Sequence, residues 1–329
     1  MHPADINSIF NLSAEPDFNN LAVSIFKYQY QNNKVYNAFV KSLNIEVETL
    51  EHYTRIPFLP IELFKSQDVV CNGKSDGFIV FTSSSTTSQV PSRHIVTDIS
   101  VYEKSFTKGF ELAYGKPSDF VILALLPNYL ERKGSSLVYM FDKLIKASGR
   151  PESGFFLDDH HKLMDILGIL KRSNTKTILI GVTYALLDLA EKGIKLDDNF
   201  IIMETGGMKG RRKELLKEEV HDILKHKLGV SSIHSEYGMT ELLSQAYSKG
   251  DGVFDCPPWM KVMIRDIDDP LSFVDVNKTG GINVIDLANV NSCSFIATQD
   301  LGRIKENGQF ELMGRFDNSD IRGCNLMIS

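Results

Sequence analysis

The chain has 329 residues, of which 43% are hydrophobic and 24% are charged, so its composition is that of a folded globular protein and excludes wholesale disorder. Its 36 basic and 42 acidic side chains give a formal net charge of −6, which disfavours sequence-independent binding to nucleic acid or to an anionic membrane. The length suits two domains of ordinary size or one large α/β domain.

The first part of the chain is predicted to be helical. Residues 1–70 are polar, with aromatic residues at irregular helical spacing, until the prolines of segment 56–60 interrupt the pattern. Two strands are predicted at 69–71 and 78–81, on either side of a turn-prone segment. That segment matches the G-x-S-x-G pattern of esterases, but a strand rather than a helix follows it, so a hairpin turn is the expected structure.

The middle of the chain alternates apolar runs with segments of helical spacing, which favours a largely parallel sheet with helices on its faces. The predicted elements are strands at 120–126, 177–181, 200–203 and 232–234, and helices at 162–170, 184–190 and 215–228, the last ended by Gly229.

After about residue 250 the pattern changes to short strands between turn residues. These strands are predicted at 261–264, 281–285, 294–297 and 309–313. We therefore predict an α/β core with a helical N-terminal part over 1–250, a β-rich subdomain over 251–315 and a hinge-like tail over 316–329.

Seven consecutive hydroxyl residues, 82–88, directly follow a predicted strand. Backbone amides and hydroxyls in such a loop can donate to phosphate oxygens, while a solvated loop is the alternative. The glycine-rich patterns of ordinary P-loop and Rossmann sites do not occur in the chain, so the sequence does not support those two kinds of nucleotide site.

Two charged clusters have structural explanations. Asp158 and Asp159 precede His160 and His161 at the start of a predicted helix, where helix capping accounts for the aspartates without a metal. The basic run 209–213 is typical of a solvated helix start, although contact with one small anion stays open.

The segment after the strand at 232–234 combines an aromatic ring, a glycine, a hydroxyl and a carboxylate, in Tyr237, Gly238, Thr240 and Glu241. Such a group can stack against a base, bind a phosphate and hold Mg²⁺, while an ordinary turn is the alternative. Further on, two polar segments that fit hairpins contain Asp300 and Arg315, and an aspartate after a strand can also hold ribose hydroxyls.

Taken in order, these segments resemble the adenylate-forming superfamily of acyl-CoA synthetases, luciferases and peptide-synthetase adenylation domains. They are more similar to its acyl-protein synthetase family, the long-chain-fatty-acid–luciferin-component ligases of bacterial bioluminescence. This resemblance extends from about residue 55 to the end, and it is carried by the segments 130–137, 204–212, 234–241 and 317–324. It implies the α/β fold of the adenylate-forming large domain, with mixed and parallel sheets flanked by helices, a small β-rich subdomain and no usual C-terminal domain.

The resemblance implies a reaction in two halves. A fatty acid carboxylate attacks ATP to give an acyl-adenylate and pyrophosphate, and the acyl group then passes to a cysteine, Cys324, and on to an acyl reductase partner. An acyl-CoA or acyl-carrier ligase is one alternative, and a degenerate non-catalytic subunit is another. Ser85 and Ser88 favour the degenerate subunit, because they stand where the superfamily loop usually has glycines.

The same resemblance assigns roles to individual residues. Thr240 contacts phosphate, and Glu241 ligates the Mg²⁺ that accompanies ATP. Nucleotide binding is assigned to Thr82, Ser84, Thr86, Thr87, Gly206, Gly207, Tyr237, Gly238, Asp300 and Arg315.

The four cysteines, Cys71, Cys256, Cys293 and Cys324, are far apart and form no C-x-x-C pair, so neither a zinc site nor a compact disulfide framework is indicated. The first residues lack the features of a secretory signal, and the apolar run 120–126 is too short to cross a bilayer. We therefore expect a cytoplasmic protein with reduced thiols and no membrane insertion.

Overall fold

The structure is a computed structural model that describes residues 6–73, 77–84, 90–127, 134–206 and 215–316. Its helices are α1 (Ile6–Ile9), α2 (Glu15–Asn32), α3 (Lys34–Ser42), α4 (Leu63–Ser66), α5 (Ile99–Tyr114), α6 (Ser136–Ser148), α7 (His160–Ser173), α8 (Thr183–Ala190) and α9 (Lys217–Leu228). Short 3-10 helices occur at Tyr53–Arg55, Pro117–Asp119 and Leu287–Asn289.

The strands run in the following order. They are β1 (Leu59–Pro60), β2 (Ile79–Thr82), β3 (Arg93–Val96), β4 (Val121–Leu125), β5 (Gly154–Phe155), β6 (Thr177–Val182), β7 (Phe200–Thr205), β8 (Ile233–Tyr237), β9 (Ala246–Ser248), β10 (Val253–Asp255), β11 (Met260–Arg265), β12 (Gly280–Asp286), β13 (Phe295–Ile304) and β14 (Phe310–Arg315).

The chain divides into two compact units. Unit 1 combines the N-terminal residues up to 74 with the residues from 258 onward, and unit 2 contains residues 75–257. The sequence-based boundaries at 250 and 315 stay a prediction.

Unit 1 is built on an antiparallel sheet in the order β11-β12-β13-β14, with β1 parallel to β13. The buried Gln29 of α2 donates to the carbonyl oxygens of Asn289 and Val290, at 3.0 Å each. The ring of Phe295 on β13 lies 6.2 Å, centroid to centroid, from that of Tyr36 on α3, in a stacked arrangement. These contacts explain why the polar N-terminal helices form one core with the β-rich segment.

Unit 2 contains a sheet in the order β10-β9-β8-β7-β6-β4-β5. Strands β8, β7, β6, β4 and β5 are parallel, whereas β9 and β10 join in antiparallel fashion. Every residue of β4 and β6 is buried, as expected for parallel strands that are covered on both faces. The mixed α/β fold class predicted from the sequence is confirmed, and so is its alternation of strands and helices.

The ends of two helices agree with the sequence signals. Asp159 caps α7, because its Oδ1 accepts a 3.1 Å hydrogen bond from the backbone amide of Lys162, so capping is the structural role found for this aspartate. Gly229 ends α9 with φ of +76°, in the left-handed region that favours glycine.

The strand predicted at 69–71 is wrong. Within the described residues, Cys71 forms an isolated bridge with Asn33, and β2 pairs with β3 instead. The reason is that this segment is used by unit 1: the Cys71 amide donates to the carbonyl oxygen of Asn291 at 2.9 Å. The hairpin that the structure contains is therefore formed by β2 and β3, on either side of the hydroxyl-rich loop. Residues 74–76, in the predicted turn, lie outside the described residues.

In the parts of the chain that the structure describes, no helix has the length and apolar character needed to cross a membrane.

Candidate functional site

Unit 2 has a cavity at the carboxyl ends of its parallel strands. It is lined by Leu126 and Pro127 after β4, Val182 at the end of β6, and residues at or after the ends of β7 and β8. Open α/β sheets bind ligands at this edge, because the loops that follow neighbouring strands converge there.

The hydroxyl-rich segment contributes one wall. Thr82, at the end of β2, and Ser84 both line the cavity. The backbone amide of Thr82 donates to the carbonyl oxygen of Gly134 at 2.7 Å, which fixes the loop against the start of α6. Thr86, Thr87, Ser85 and Ser88 lie outside the described residues.

The N-terminus of α6 forms part of the same wall, through Ser135, Ser136 and Leu137. Ser135 caps this helix by accepting a hydrogen bond from the backbone amide of Val138. Free amides at a helix N-terminus attract anions, so this wall adds donors to the hydroxyls of Thr82 and Ser84. This contribution was not predicted, although the pair of serines before the apolar spacing of α6 was a usable signal.

Gly206 follows β7 and lines the cavity with φ of +68°, a left-handed conformation that glycine adopts without strain. Its carbonyl oxygen accepts a 2.5 Å hydrogen bond from the hydroxyl of Thr183 at the start of α8. The turn predicted at 206–207 is thus anchored at its first residue, and Gly207 lies outside the described residues.

A buried ion pair lies just before this turn. Glu204 Oε1 is 3.0 Å from Lys217 Nζ and 3.6 Å from His221 Nε2, both on α9. Burial acts to raise the pKa of Glu204, but the hydrogen bond with His221 and the charge of Lys217 outweigh it and lower this pKa to about 2. The charged Glu204 therefore ties the end of β7 to α9.

A second buried carboxyl group, that of Glu236, lines the cavity itself. Thr205 and Glu236 are paired across β7 and β8, and the Thr205 hydroxyl donates to Glu236 Oε2 at 2.6 Å. Burial, opposed by this hydrogen bond and assisted by the charge of Glu204, raises the pKa of Glu236 to about 7. Glu236 had no predicted role, although a charged residue at the end of a buried strand was a usable signal.

Gly238, Met239 and Thr240 continue the cavity wall after β8. The ring nitrogen Nδ1 of the fully buried His94 lies 2.8 Å from the carbonyl oxygen of Thr240 and donates to it. This bond fixes the Thr240 backbone against β3, the strand that follows the hydroxyl-rich loop. The predicted phosphate-binding residues Thr82, Ser84 and Thr240 thus line one cavity.

Tyr237 and Glu241 are buried but are not among the residues that line this cavity. The ring of Tyr237 packs edge-on against Phe254, with centroids 6.0 Å apart. Within the described residues, no three His, Cys, Asp or Glu side chains cluster into a complete metal site. Glu241 directly follows Thr240 in the chain, and its role as a ligand of the Mg²⁺ of MgATP stays a prediction.

Asp300 and Arg315 belong to unit 1, where they are paired across β13 and β14. Arg315 Nε lies 3.1 Å from Asp300 Oδ1, with the arginine largely exposed and the aspartate largely buried. A register shift between Leu301 and Gly302 directly follows Asp300. Such irregularities are frequent where a sheet presents a side chain for function.

The remaining predicted residue, Cys324, lies outside the described residues. Two of the other thiols are poor nucleophiles. Cys71 and Cys293 are buried, and burial raises the pKa of Cys71 to about 12 and that of Cys293 further still.

Comparison with known proteins gives one family and a group of similar structures. The model of the family described as acyl-protein synthetase, LuxE, matches residues 10–329. No curated protein sequence matches the chain significantly.

The solved structures share the fold at low sequence identity. The ATP-bound MatB of Rhodopseudomonas palustris is 18% identical, with a TM-score of 0.54 over 72% of this chain and 47% of MatB. A 2-hydroxyisobutyryl-CoA ligase in complex with 2-HIB-AMP and CoA is 14% identical, with a TM-score of 0.69 over 95% of this chain and 71% of the ligase. The chain thus spans about half the length of MatB, and these likenesses confirm the adenylate-forming fold.

Proposed function

The chain belongs to the LuxE family of acyl-protein synthetases, and from this premise we propose that it activates a long-chain fatty acid with MgATP, forms a thioester on its own Cys324 and delivers the acyl group to an acyl reductase. The observation that carries the proposal is the convergence of Thr82, Ser84, Gly206, Gly238 and Thr240 on one cavity. We place this reaction in the cytoplasm, in a fatty acid reduction system of the bioluminescence type.

In the first half of the reaction, a carboxylate oxygen of the fatty acid attacks the α-phosphorus of ATP. The bond from that phosphorus to the bridging oxygen breaks, and pyrophosphate leaves with the electron pair. The hydroxyls of Thr82, Ser84 and Thr240 and the amides at the start of α6 are suited to hold phosphate oxygens as negative charge gathers on them. Glu241 is the residue we assign to the Mg²⁺ of MgATP, which neutralises phosphate charge.

In the second half, the Cys324 thiolate attacks the carbonyl carbon of the acyl-adenylate, and AMP leaves as the thioester forms. A thiolate serves here because it is a good nucleophile and, in the next transfer, a good leaving group. The high pKa values of the buried Cys71 and Cys293 support the choice of another thiol.

The test is exchange of labelled pyrophosphate into ATP, measured with and without fatty acid. Acid-dependent exchange supports the activation step, whereas a folded protein that shows none with any acid contradicts it and favours the non-catalytic subunit. Product analysis with and without coenzyme A then separates the protein thioester from the alternative of an acyl-CoA ligase.

A further inference from the structure

An acidic side chain lies in a cavity whose other polar groups suit an anion. It is that of Glu236, which lines the same cavity as the hydroxyl residues Thr82, Ser84 and Thr240. Hydroxyls and the amides at the start of α6 can donate to phosphate oxygens, whereas a carboxylate repels them. The protonation state of Glu236 therefore affects how well the cavity accepts a negatively charged ligand.

The surroundings of Glu236 suit a neutral carboxyl group. Its Oε2 accepts the 2.6 Å hydrogen bond from the Thr205 hydroxyl, and its Oε1 packs against Gly238, where an added Cβ would overlap it. Lys217 is the cation that acts on Glu236, but its Nζ forms an ion pair with Glu204 at 3.0 Å. Ionised Glu236 would thus be a buried charge whose nearby cation is already paired with another carboxylate, which is costly.

The ionisable groups around Glu236 place its titration close to neutral pH. Burial and the charge of Glu204 raise the pKa of Glu236 to about 7, against the opposing effects of the Thr205 hydrogen bond and of Lys217. Tyr247 on β9 is paired with Glu236, and the ring of Tyr114 on α5 packs edge-on against that of Tyr247. Burial and the charge of Glu236 raise the pKa of both phenols, so they stay neutral while Glu236 titrates.

A bound anion opposes the ionisation of Glu236 further. A ligand that fills the cavity displaces water, and like charges in one water-poor cavity repel more strongly than in bulk solvent. An anionic ligand therefore binds more tightly to the protein with neutral Glu236. By linkage, the same ligand makes the proton on Glu236 harder to remove.

We propose that the cavity binds the anionic acyl-adenylate with Glu236 protonated, so that binding above neutral pH takes up a proton from solvent onto this carboxyl group. This inference rests on the proposed function, which supplies the ligand, and it adds the residue that limits activation at high pH. Neutral Glu236 is present below pH 7 and is lost above it, so affinity falls as pH rises through that range. A carboxylate that acted as a base would give the opposite pH dependence.

The experiment is calorimetric titration with 5′-O-(N-hexadecanoylsulfamoyl)adenosine, an acyl-adenylate analogue whose single negative charge does not titrate between pH 6 and pH 9. We expect Kd to be roughly 10-fold higher at pH 9 than at pH 6. Titrations at pH 7.5 in buffers of different ionisation enthalpy should show uptake of about half a proton per ligand bound. A Kd that does not rise with pH overturns the inference.

Glu236→Gln tests the residue, because its amide keeps an oxygen for Thr205 but cannot ionise. We expect this variant to lose both the rise in Kd and the proton uptake, and proton uptake that persists overturns the assignment. Glu218→Gln, at an exposed position of α9, is the matched control and should retain both.

Thr205→Val is a second variant, which decides the matter if Glu236→Gln does not fold. Valine has nearly the shape of threonine and removes the hydrogen bond that lowers the pKa of Glu236. We expect the midpoint of the rise in Kd to move to higher pH in this variant. A midpoint that is unchanged or moves to lower pH overturns the inference.

Pyrophosphate exchange separates the two proposals. Acid-dependent exchange with the same pH profile in the unsubstituted protein and in Glu236→Gln overturns the inference and leaves the proposed function intact. If no acid supports exchange, the proposed function fails, whereas proton uptake with the analogue that disappears in Glu236→Gln still supports the inference. Absence of binding at every pH overturns it.

Discussion

The hydroxyl of Thr205 donates a 2.6 Å hydrogen bond to Glu236 Oε2, and so joins the ends of two parallel strands inside the cavity. This bond gives a buried carboxyl group a hydrogen-bond partner, at strand ends where covered parallel sheets usually carry apolar side chains. Glu204 and Lys217 face the same carboxyl group from β7 and α9, and Tyr247 pairs with it from β9. The titration of Glu236 is therefore coupled to the stability of the site.

We predict that Glu236→Gln changes how stability depends on pH. Because the pKa of Glu236 rises from 4.5 in the unfolded chain to about 7, the folded protein holds a proton that the unfolded chain releases. The stability of the unsubstituted protein therefore falls as pH rises from 4.5 through 7, and the neutral amide removes this loss. In urea denaturation, the free energy of unfolding of the variant minus that of the unsubstituted protein should increase by about 3 kcal/mol between pH 4.5 and pH 8. Parallel pH profiles of the free energy of unfolding for the two proteins would contradict this prediction. Glu218→Gln, at an exposed position of α9, is the control.

Much of unit 2 was predictable because its sequence signals are local. The apolar runs of β4 and β6 and the capped start of α7 each specify an element within a few residues. The partner of β2 was not predictable, because the competing segment at Cys71 is held by a backbone hydrogen bond to Asn291, 220 residues away along the chain. A contact of that separation leaves no local pattern.

The candidate site was likewise predictable only where its sequence signals are local. Resemblance identified the loops of Thr82, Gly206 and Thr240, since short motifs mark them. It gave no role to Glu236, because the significance of this residue comes from its burial and from its hydrogen bond with Thr205 on the neighbouring strand, which only the fold shows.

A side chain at Gly238 is predicted to disturb the site. In Gly238→Ala the added Cβ would overlap Glu236 Oε1, which cannot move freely because Thr205 holds the same carboxyl group. We expect a loss of about 1–3 kcal/mol in the free energy of unfolding, typical of overpacking. Addition of Glu236→Ala should recover part of it, since the overlapping atom is then gone. Gly168→Ala on α7 is the control and should leave the free energy of unfolding unchanged, because the added atom meets only an ordinary contact there. Equal losses of stability at both glycines would contradict the prediction.

Glu241→Ala is predicted to lower acid-dependent pyrophosphate exchange by roughly 100-fold, the scale expected for loss of a main electrostatic stabiliser. The buried carboxylate next to Thr240 is the group that we assign to the Mg²⁺ of MgATP. The concentration of Mg²⁺ needed for half-maximal exchange should rise in Glu241→Asp, which retains the charge on a shorter side chain. Unchanged exchange in a folded Glu241→Ala protein would contradict the whole adenylation assignment.

The two members of the Asp300–Arg315 pair should behave differently. Arg315 is largely exposed, so its ion pair contributes little stability, and Arg315→Gln should change the free energy of unfolding by less than about 1 kcal/mol. Asp300 is largely buried and is assigned to ribose, so Asp300→Asn should raise KM for ATP by roughly 10-fold with kcat nearly unchanged. An unchanged KM for ATP would remove Asp300 from the nucleotide site.

The last prediction separates activation from acyl transfer. In Cys324→Ser, pyrophosphate exchange should persist, because activation joins the acid to ATP without the use of a thiol. Hydroxylamine-sensitive labelling of the protein by radioactive fatty acid should disappear, because a serine hydroxyl is not ionised near neutral pH and would form an ester rather than a thioester. Cys293→Ser is the matched control: its thiol is fully buried with a raised pKa, so labelling should persist in that variant. Label that remains on Cys324→Ser would exclude this cysteine as the acceptor and direct the search to the half-buried Cys256.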